Sequence, residues 1–153
     1  MEGEKARLSL IPPERDPCPF CSNIQGTNRC AFVYRANGIS SFVNPRQYER
    51  GGLLIIPDRH AATILELDQE TMAELYVHVQ HVARAVCRAL QPIGLNIFQN
   101  NGSAAGQSVP HVHIHIVPRY HDKEPAKVYS EKHVNKTPFE ERVTLARIIK
   151  EYL

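Results

Sequence analysis

Apolar and polar positions change period several times along the chain, and each period predicts an element. Between Pro110 and Pro118, His111-Val112-His113-Ile114-His115-Ile116-Val117 alternates strictly. That is the pattern of a half-buried strand with three imidazoles projecting from one face and Val112, Ile114 and Ile116 turned into a core. Residues 31–36 and 39–43 predict two further strands, joined at Asn37-Gly38, a two-residue turn whose members both tolerate positive φ. Leu53-Leu54-Ile55-Ile56, closed by Pro57, predicts a buried strand, and residues 95–99 another. From about 71 to 90 the period becomes helical. Met72, Leu75, Tyr76, Val79, Val82, Ala83, Val86 and Leu90 recur at spacings of three and four, with Asp68 as N-cap. His78 and His81 fall beside or opposite that stripe, so they are expected on the helix surface or its boundary. Thr137-Pro138-Phe139-Glu140 predicts a last helix, with a capping Thr, Pro at the first helical position and Glu three residues after the cap.

The sum is an α+β chain dominated by antiparallel pairing. Residues 1–16 are expected to form a flexible N-terminal arm and 17–153 a single domain, with its core in 17–120 and a C-terminal extension and helix in 121–153. No repeat or low-complexity tract divides it. The charged, irregular segment 119–136 directly follows the histidine strand and is a candidate lid.

Composition narrows the function classes. The chain has 153 residues, 42% apolar and 22% charged, ordinary for a soluble globular protein with a real core. A net charge of +2 is too mild to make nucleic acid the main partner. No run approaches the ~20 apolar residues of a membrane span, and the polar N-terminus lacks the apolar centre of a signal peptide. A cytoplasmic protein with no membrane partner is expected. Cys18 and Cys21 are separated by two residues, a spacing that in a reducing compartment serves metal or redox chemistry more often than a structural disulfide. Cys30 and Cys87 are expected to be small buried hydrophobes.

Three histidines in register admit three readings: an exposed polar face, a metal site, or nucleophilic catalysis at phosphorus by a neutral imidazole whose other nitrogen is held by an acceptor. One ion shared by all three is disfavoured, since His111 and His115 would lie ~13 Å apart along a strand. The preceding loop, from Asn100 to Ser108, favours phosphate. Gly102 and Gly106 let the backbone approach a ligand closely, and Ser108, Asn100, Gln107 and the amide groups offer donors to an anion. Cys18 and Cys21 form a thiolate pair at metal-binding spacing, which two histidines would complete to a closed tetrahedral zinc site.

Gly106-Gln107-Ser108-Val109-Pro110-His111-Val112-His113-Ile114-His115-Ile116-Val117 resembles the signature of the histidine-triad (HIT) superfamily of nucleotide hydrolases and transferases. The resemblance extends back through Leu53–Pro57 and His60 to Cys18-Pro19-Phe20-Cys21. It implies a HIT-like five-stranded antiparallel sheet with a long helix and a C-terminal helix, assembled as a homodimer. Its implied chemistry is cleavage of purine nucleoside 5′-phosphoramidates, phosphate anhydrides or dinucleoside polyphosphates through a nucleotidyl-histidine intermediate. His113 matches the nucleophile, His115 the histidine that contacts the phosphate or the scissile oxygen, and His111 the first of the triad. Asn44 matches the ribose contact, and Asn100, Gly106, Gln107 and Ser108 the phosphate side. Zinc-bearing relatives resemble the Cys18, Cys21, His60, His111 set; there the metal is structural, and no catalytic cofactor is required. Pro118-Arg119 and Val43-Asn44 are closer in style to the diadenosine-polyphosphate (fragile histidine triad) branch. The chain departs from the family at Gly51-Gly52, where a fourth histidine usually stands. That departure keeps open a nucleotide-binding regulatory module with weak or lost catalysis.

Overall fold

The computed structural model describes residues 10–121 and 134–153. In chain order its elements are α1 (Pro19–Gln25), β1 (Phe32–Ala36), β2 (Ile39–Val43), β3 (Arg46–Gln47), β4 (Leu53–Pro57), α2 (Gln69–Leu90), β5 (Gly94–Gln99), β6 (Ile114–Arg119), β7 (Asn135–Lys136) and α3 (Phe139–Lys150). Five strands form one sheet in the order β1-β2-β4-β6-β5, with every neighbouring pair antiparallel. The expected α+β, five-stranded antiparallel architecture is therefore present. Asn37 and Gly38 make the β1–β2 turn with φ of 51° and 73°, the left-handed pair that a tight hairpin needs. The two-residue strands β3 and β7 pair with each other in a separate small sheet.

One face of the large sheet carries the core. Val33, Val43, Leu53, Ile55, Ile114 and Ile116 cluster with Leu75, Val79, Val82 and Val86 of α2 and with Leu145 and Ile149 of α3. Most of the α2 stripe is thus consumed within the chain, while Tyr76 stands exposed. Asp68 caps the helix, its carboxylate accepting from Thr71 N at 2.7 Å. A second cluster joins Phe42, Leu54 and Ile56 of the sheet to Val109 and to Phe20 of α1. Among the described residues, no helix is long and apolar enough to cross a membrane.

The structure corrects four expectations. His78 is buried, not on the boundary. It falls between Leu75 and Val79, inside the buried stripe, and its Nε2 meets Ser41 Oγ at 3.2 Å. Cys87 is exposed, because one helical step beyond Val86 turns it out of the core; Cys30 is half-buried. Thr137 does not cap α3, whose N-cap is Pro138. A residue preceding proline is pushed to extended backbone, and Thr137 continues from β7, donating its amide to Pro45 O at 2.8 Å. The histidine run enters the ladder only at Ile114, so His111 and His113 lie in the segment leading into the strand. Of the candidate lid, residues 122–133 lie outside the described residues, as do 1–9 of the N-terminal arm.

Candidate active site and metal centre

A cleft of about 280 Å³ opens on the face of the sheet away from the α2 core, lined by His113, His115, Asn44, Asn100, Gly106 and Ser108 together with aromatic and arginine side chains. The sheet register sets Phe42, Leu54 and His115 side by side as its floor. Phe32↔Phe42, Phe42↔Leu54, Leu54↔His115 and Phe98↔His115 are successive partners across β1, β2, β4, β6 and β5, so these residues form one transverse row.

His113 is 3% exposed, and its Nδ1–H donates to His111 O at 2.7 Å. That bond places the ring proton on Nδ1 and leaves the Nε2 lone pair bare. Burial lowers its pKa, against the opposing pull of the His111 carbonyl, so the ring is neutral near neutrality. His115 lies 5.1 Å from it, centroid to centroid, and stacks flat on Phe98 at 4.4 Å and 3°. Burial first, and His113 second, push the His115 pKa down to about 3. Phe20 meets His113 edge-on at 5.2 Å and His111 at 5.9 Å, bridging the two rings.

The loop before the histidines turns at Gly102 (φ 90°) and Gly106 (φ 84°) around a 3-10 turn, Ser103–Ala105. Gln107 is its brace. Oε1 accepts from Gly102 N at 2.7 Å, while Nε2 donates to Ala62 O at 2.7 Å and Val109 O at 2.8 Å. That side chain is committed inside the loop, and Gln107 is not among the residues that line the cleft. Asn100 Nδ2 reaches Gly106 O at 3.4 Å. Asn44 Oδ1 accepts from Arg46 N at 2.9 Å, which leaves its Nδ2 as the donor available to a ligand.

His111 goes elsewhere. It is fully buried, and its Nε2–H donates to Pro57 O at 2.7 Å. The bare Nδ1 then faces Cys18 Sγ at 3.5 Å and Cys21 Sγ at 3.6 Å, and Cys21 Sγ meets His60 Nδ1 at 3.3 Å. The four potential ligand atoms of Cys18, Cys21, His60 and His111 lie within 4.8 Å of one another. Two sulfurs and two imidazole nitrogens suit a tetrahedral ion, and the Pro57 carbonyl is the outer-shell acceptor that orients a ligating histidine. Burial, with Cys18 adding to it, raises the Cys21 thiol to about 11. The group could hold a metal ion.

Comparison with known proteins identifies the family. The family model described as HIT domain matches residues 25–122. A curated relative named Protein hit, from Bacillus subtilis, is 40% identical over 103 residues, covering 67% of this chain and 71% of its own length. This chain belongs to the HIT domain family. Another relative, an adenosine 5′-monophosphoramidase of Schizosaccharomyces pombe, is 34% identical over 67% of this chain and 74% of its own length. The crystal structure of a zinc-bound histidine triad family protein from Mycobacterium smegmatis superposes on this HIT chain with a TM-score of 0.75 at 27% identity, covering 89% of this chain and 92% of that one.

Several side chains in or against the HIT cleft lie outside the histidine motif. Phe98 has a signal, as an aromatic residue on a strand that pairs with the histidine strand. Phe20 lies inside the Cys18–Cys21 segment, whose spacing draws attention to the sulfurs and away from the ring between them. Tyr48, 6.3 Å from His115 ring to ring, and Arg142, brought to the cleft by α3, carry no local signal at all.

Proposed function

We propose that this HIT protein is a nucleotide hydrolase or nucleotidyl transferase that works through a His113 adduct. The observation that carries the reading is the 2.7 Å bond from His113 Nδ1–H to His111 O, which holds a buried imidazole with its Nε2 free at a concave, partly apolar cleft. The His113 Nε2 lone pair attacks the α-phosphorus of a purine nucleoside 5′-phosphoramidate, phosphate anhydride or dinucleoside polyphosphate. The bond from phosphorus to the leaving group breaks, and the leaving group departs with its electron pair and takes a proton from solvent. Water then attacks the same phosphorus and gives up a proton to solvent, the electron pair of the phosphorus–nitrogen bond returns to His113 Nε2, and a nucleoside monophosphate leaves. The S. pombe relative, by its name, acts on a substrate of this class.

The remaining residues take roles from their positions. Asn44 offers its Nδ2 to the ribose oxygens. Asn100, Ser108 and the backbone at Gly106 offer donors to the phosphate oxygens, where charge grows as the adduct forms. Gln107 acts through the loop it braces. His115, held neutral, donates one N–H to the phosphate or the scissile oxygen and is not itself an imidazolium acid. Cys18, Cys21, His60 and His111 would hold a zinc ion that ties the N-terminal segment to the sheet, and a closed four-ligand set supplies structure there.

Rapid-quench labelling with α-³²P-labelled adenylated and guanylated substrates tests the mechanism. The label is expected on His113, and His113→Asn is expected to lower turnover by about 10³-fold or more with an unchanged melting temperature. Labelling at another residue, or undiminished turnover in that variant, overturns the nucleophile. The Gly52 position supports a second reading, a binding module. Nucleotide binding with no turnover or label on any substrate of the panel would select it.

A further inference from the structure

The cleft continues to a wall that the histidine motif does not build. His115, Leu54, Phe42 and Phe32 succeed one another across β6, β4, β2 and β1, a row spanning about 14 Å at ~4.8 Å per strand. Arg29 and Cys30, just before Phe32 in the chain, line the cleft, and Arg142 joins them from α3. That helix lies outside residues 25–122, so the segment that completes the wall is one the family pattern does not specify.

The first turns of α3 hold both guanidinium groups beside one ring. Arg29 pairs with Glu140 at 3.1 Å and lies over the Phe139 ring at 3.9 Å, and Arg142 flanks the same ring at 5.2 Å. Arg142 Nε donates to Thr137 O at 3.1 Å, so its terminal amino groups are the part of the fork left to meet a ligand. Glu140 answers Arg29, but Arg142 has no carboxylate partner among the described residues. No aspartate or glutamate is among the described residues that line the cleft. Burial keeps the Cys30 thiol protonated, its pKa raised to about 12, so it supplies no countercharge. An unanswered guanidinium at this wall calls for hydrogen-bond acceptors on the ligand.

A nucleotide with its phosphate at His113 and its purine laid over Phe42 and Leu54, all three lining residues, would turn the base edge to this wall. Guanine presents O6 and N7, both acceptors. Adenine presents N7 beside an N6 amino group, whose hydrogens would oppose those of the guanidinium. Resting on the nucleotide-site reading above, we propose that Arg142, with Arg29 beside it, selects 6-oxopurine nucleotides, guanine or hypoxanthine, over adenine.

Calorimetric titration of the full chain with GMP, IMP and AMP tests this without requiring turnover. GMP and IMP are expected to bind at least about tenfold more tightly than AMP, within the range of one bidentate arginine contact. The preference is expected to fall toward unity in Arg142→Met and in Arg142→Lys, which keeps the charge but loses the fork; Arg29→Met gives a second, independent variant should the first fail to fold. Equal or tighter binding of AMP overturns the proposal, as does a preference unchanged in all three variants. Tripolyphosphate binding as tightly as GMP would assign the arginines to charge alone and overturn it too. Binding of no nucleotide would sink this inference and the nucleotide reading together. A His113 label without base preference sinks only the inference, and a GMP preference without any label sinks only the hydrolase.

Discussion

At Gly51 φ is 91°, and a Cβ there would run into Leu90 Cδ1, whereas a Cβ on neighbouring Gly52 would meet nothing nearer than Glu49 O at 3.5 Å. The two glycines therefore have different reasons to be there. Gly51→Ala forces a side chain into left-handed backbone and is expected to cost about 1–3 kcal/mol. Gly52→Ala should stay within about 0.5 kcal/mol of the parent, and urea denaturation of the pair checks the contrast. Gln107 makes the opposite case, a residue whose type suggests ligand contact but whose side chain holds the loop. Gln107→Ala leaves Gly102 N, Ala62 O and Val109 O without their partner, so a loss of about 1–3 kcal/mol in the same assay is expected. Sequence alone shows a glutamine beside a glycine-containing loop. It does not show that three backbone groups will claim the amide first, because Ala62 comes from a distant part of the chain and the loop must close before Gly102 and Val109 converge. The histidine row is legible because alternation and neighbouring glycines are local signals.

The elements most visible in the sequence are those whose stabilising contacts repeat with a fixed period. β2, β4 and α2 emerge with nearly their observed bounds, and Asp68 caps α2 as its residue type requires. α3 starts later than its cap motif suggests because Pro138 dictates the backbone of Thr137. His78 is misplaced because a histidine on a helix looks like surface until Ser41 supplies a partner within the sheet. That burial has a consequence. Desolvation, reinforced by His81 and opposed by Asp58, lowers the His78 pKa to about 4 from an ordinary 6.5, so the folded helix prefers the neutral ring. The unfolded chain binds the proton first as pH falls, and the stability this ring contributes is complete above about 6.5 and lost on the way down to about 4. Tyr34, tilted against both His78 and His81 at 4.9 Å, supplies no charge to offset this. In His78→Gln the acid-side fall of the urea midpoint between pH 6.5 and 4 is expected to be shallower than in the parent. An identical slope would show that His78 does not govern the acid limb.

At the scale of the whole molecule, the Cys18, Cys21, His60, His111 group joins an N-terminal segment outside the sheet to two segments that flank the paired strands β4 and β6. It links the start of α1, the segment after β4 and the residues leading into β6. Cys21 lies 39 residues before His60 and 90 before His111, so closing this group fixes long loops of the unfolded chain. An ion that binds the folded chain alone stabilises it by mass action, about 2.7 kcal/mol at a hundredfold excess over Kd, or roughly 5–10 °C in melting temperature for a chain of this size. Removing zinc with a chelator is expected to lower the melting temperature by that order, and readdition of zinc to restore it. Cys21→Ser should abolish both the zinc content and the response to chelator. Because the Pro57 carbonyl holds His111 and the His111 carbonyl holds His113, the same treatment is expected to loosen the support of His113 without touching its Nε2. Amide hydrogen exchange should then rise at Val112 and His113, while the α2 amides remain protected. A melting temperature indifferent to chelator, in protein that elemental analysis shows to have lost its zinc, would separate the metal from the stability of the sheet.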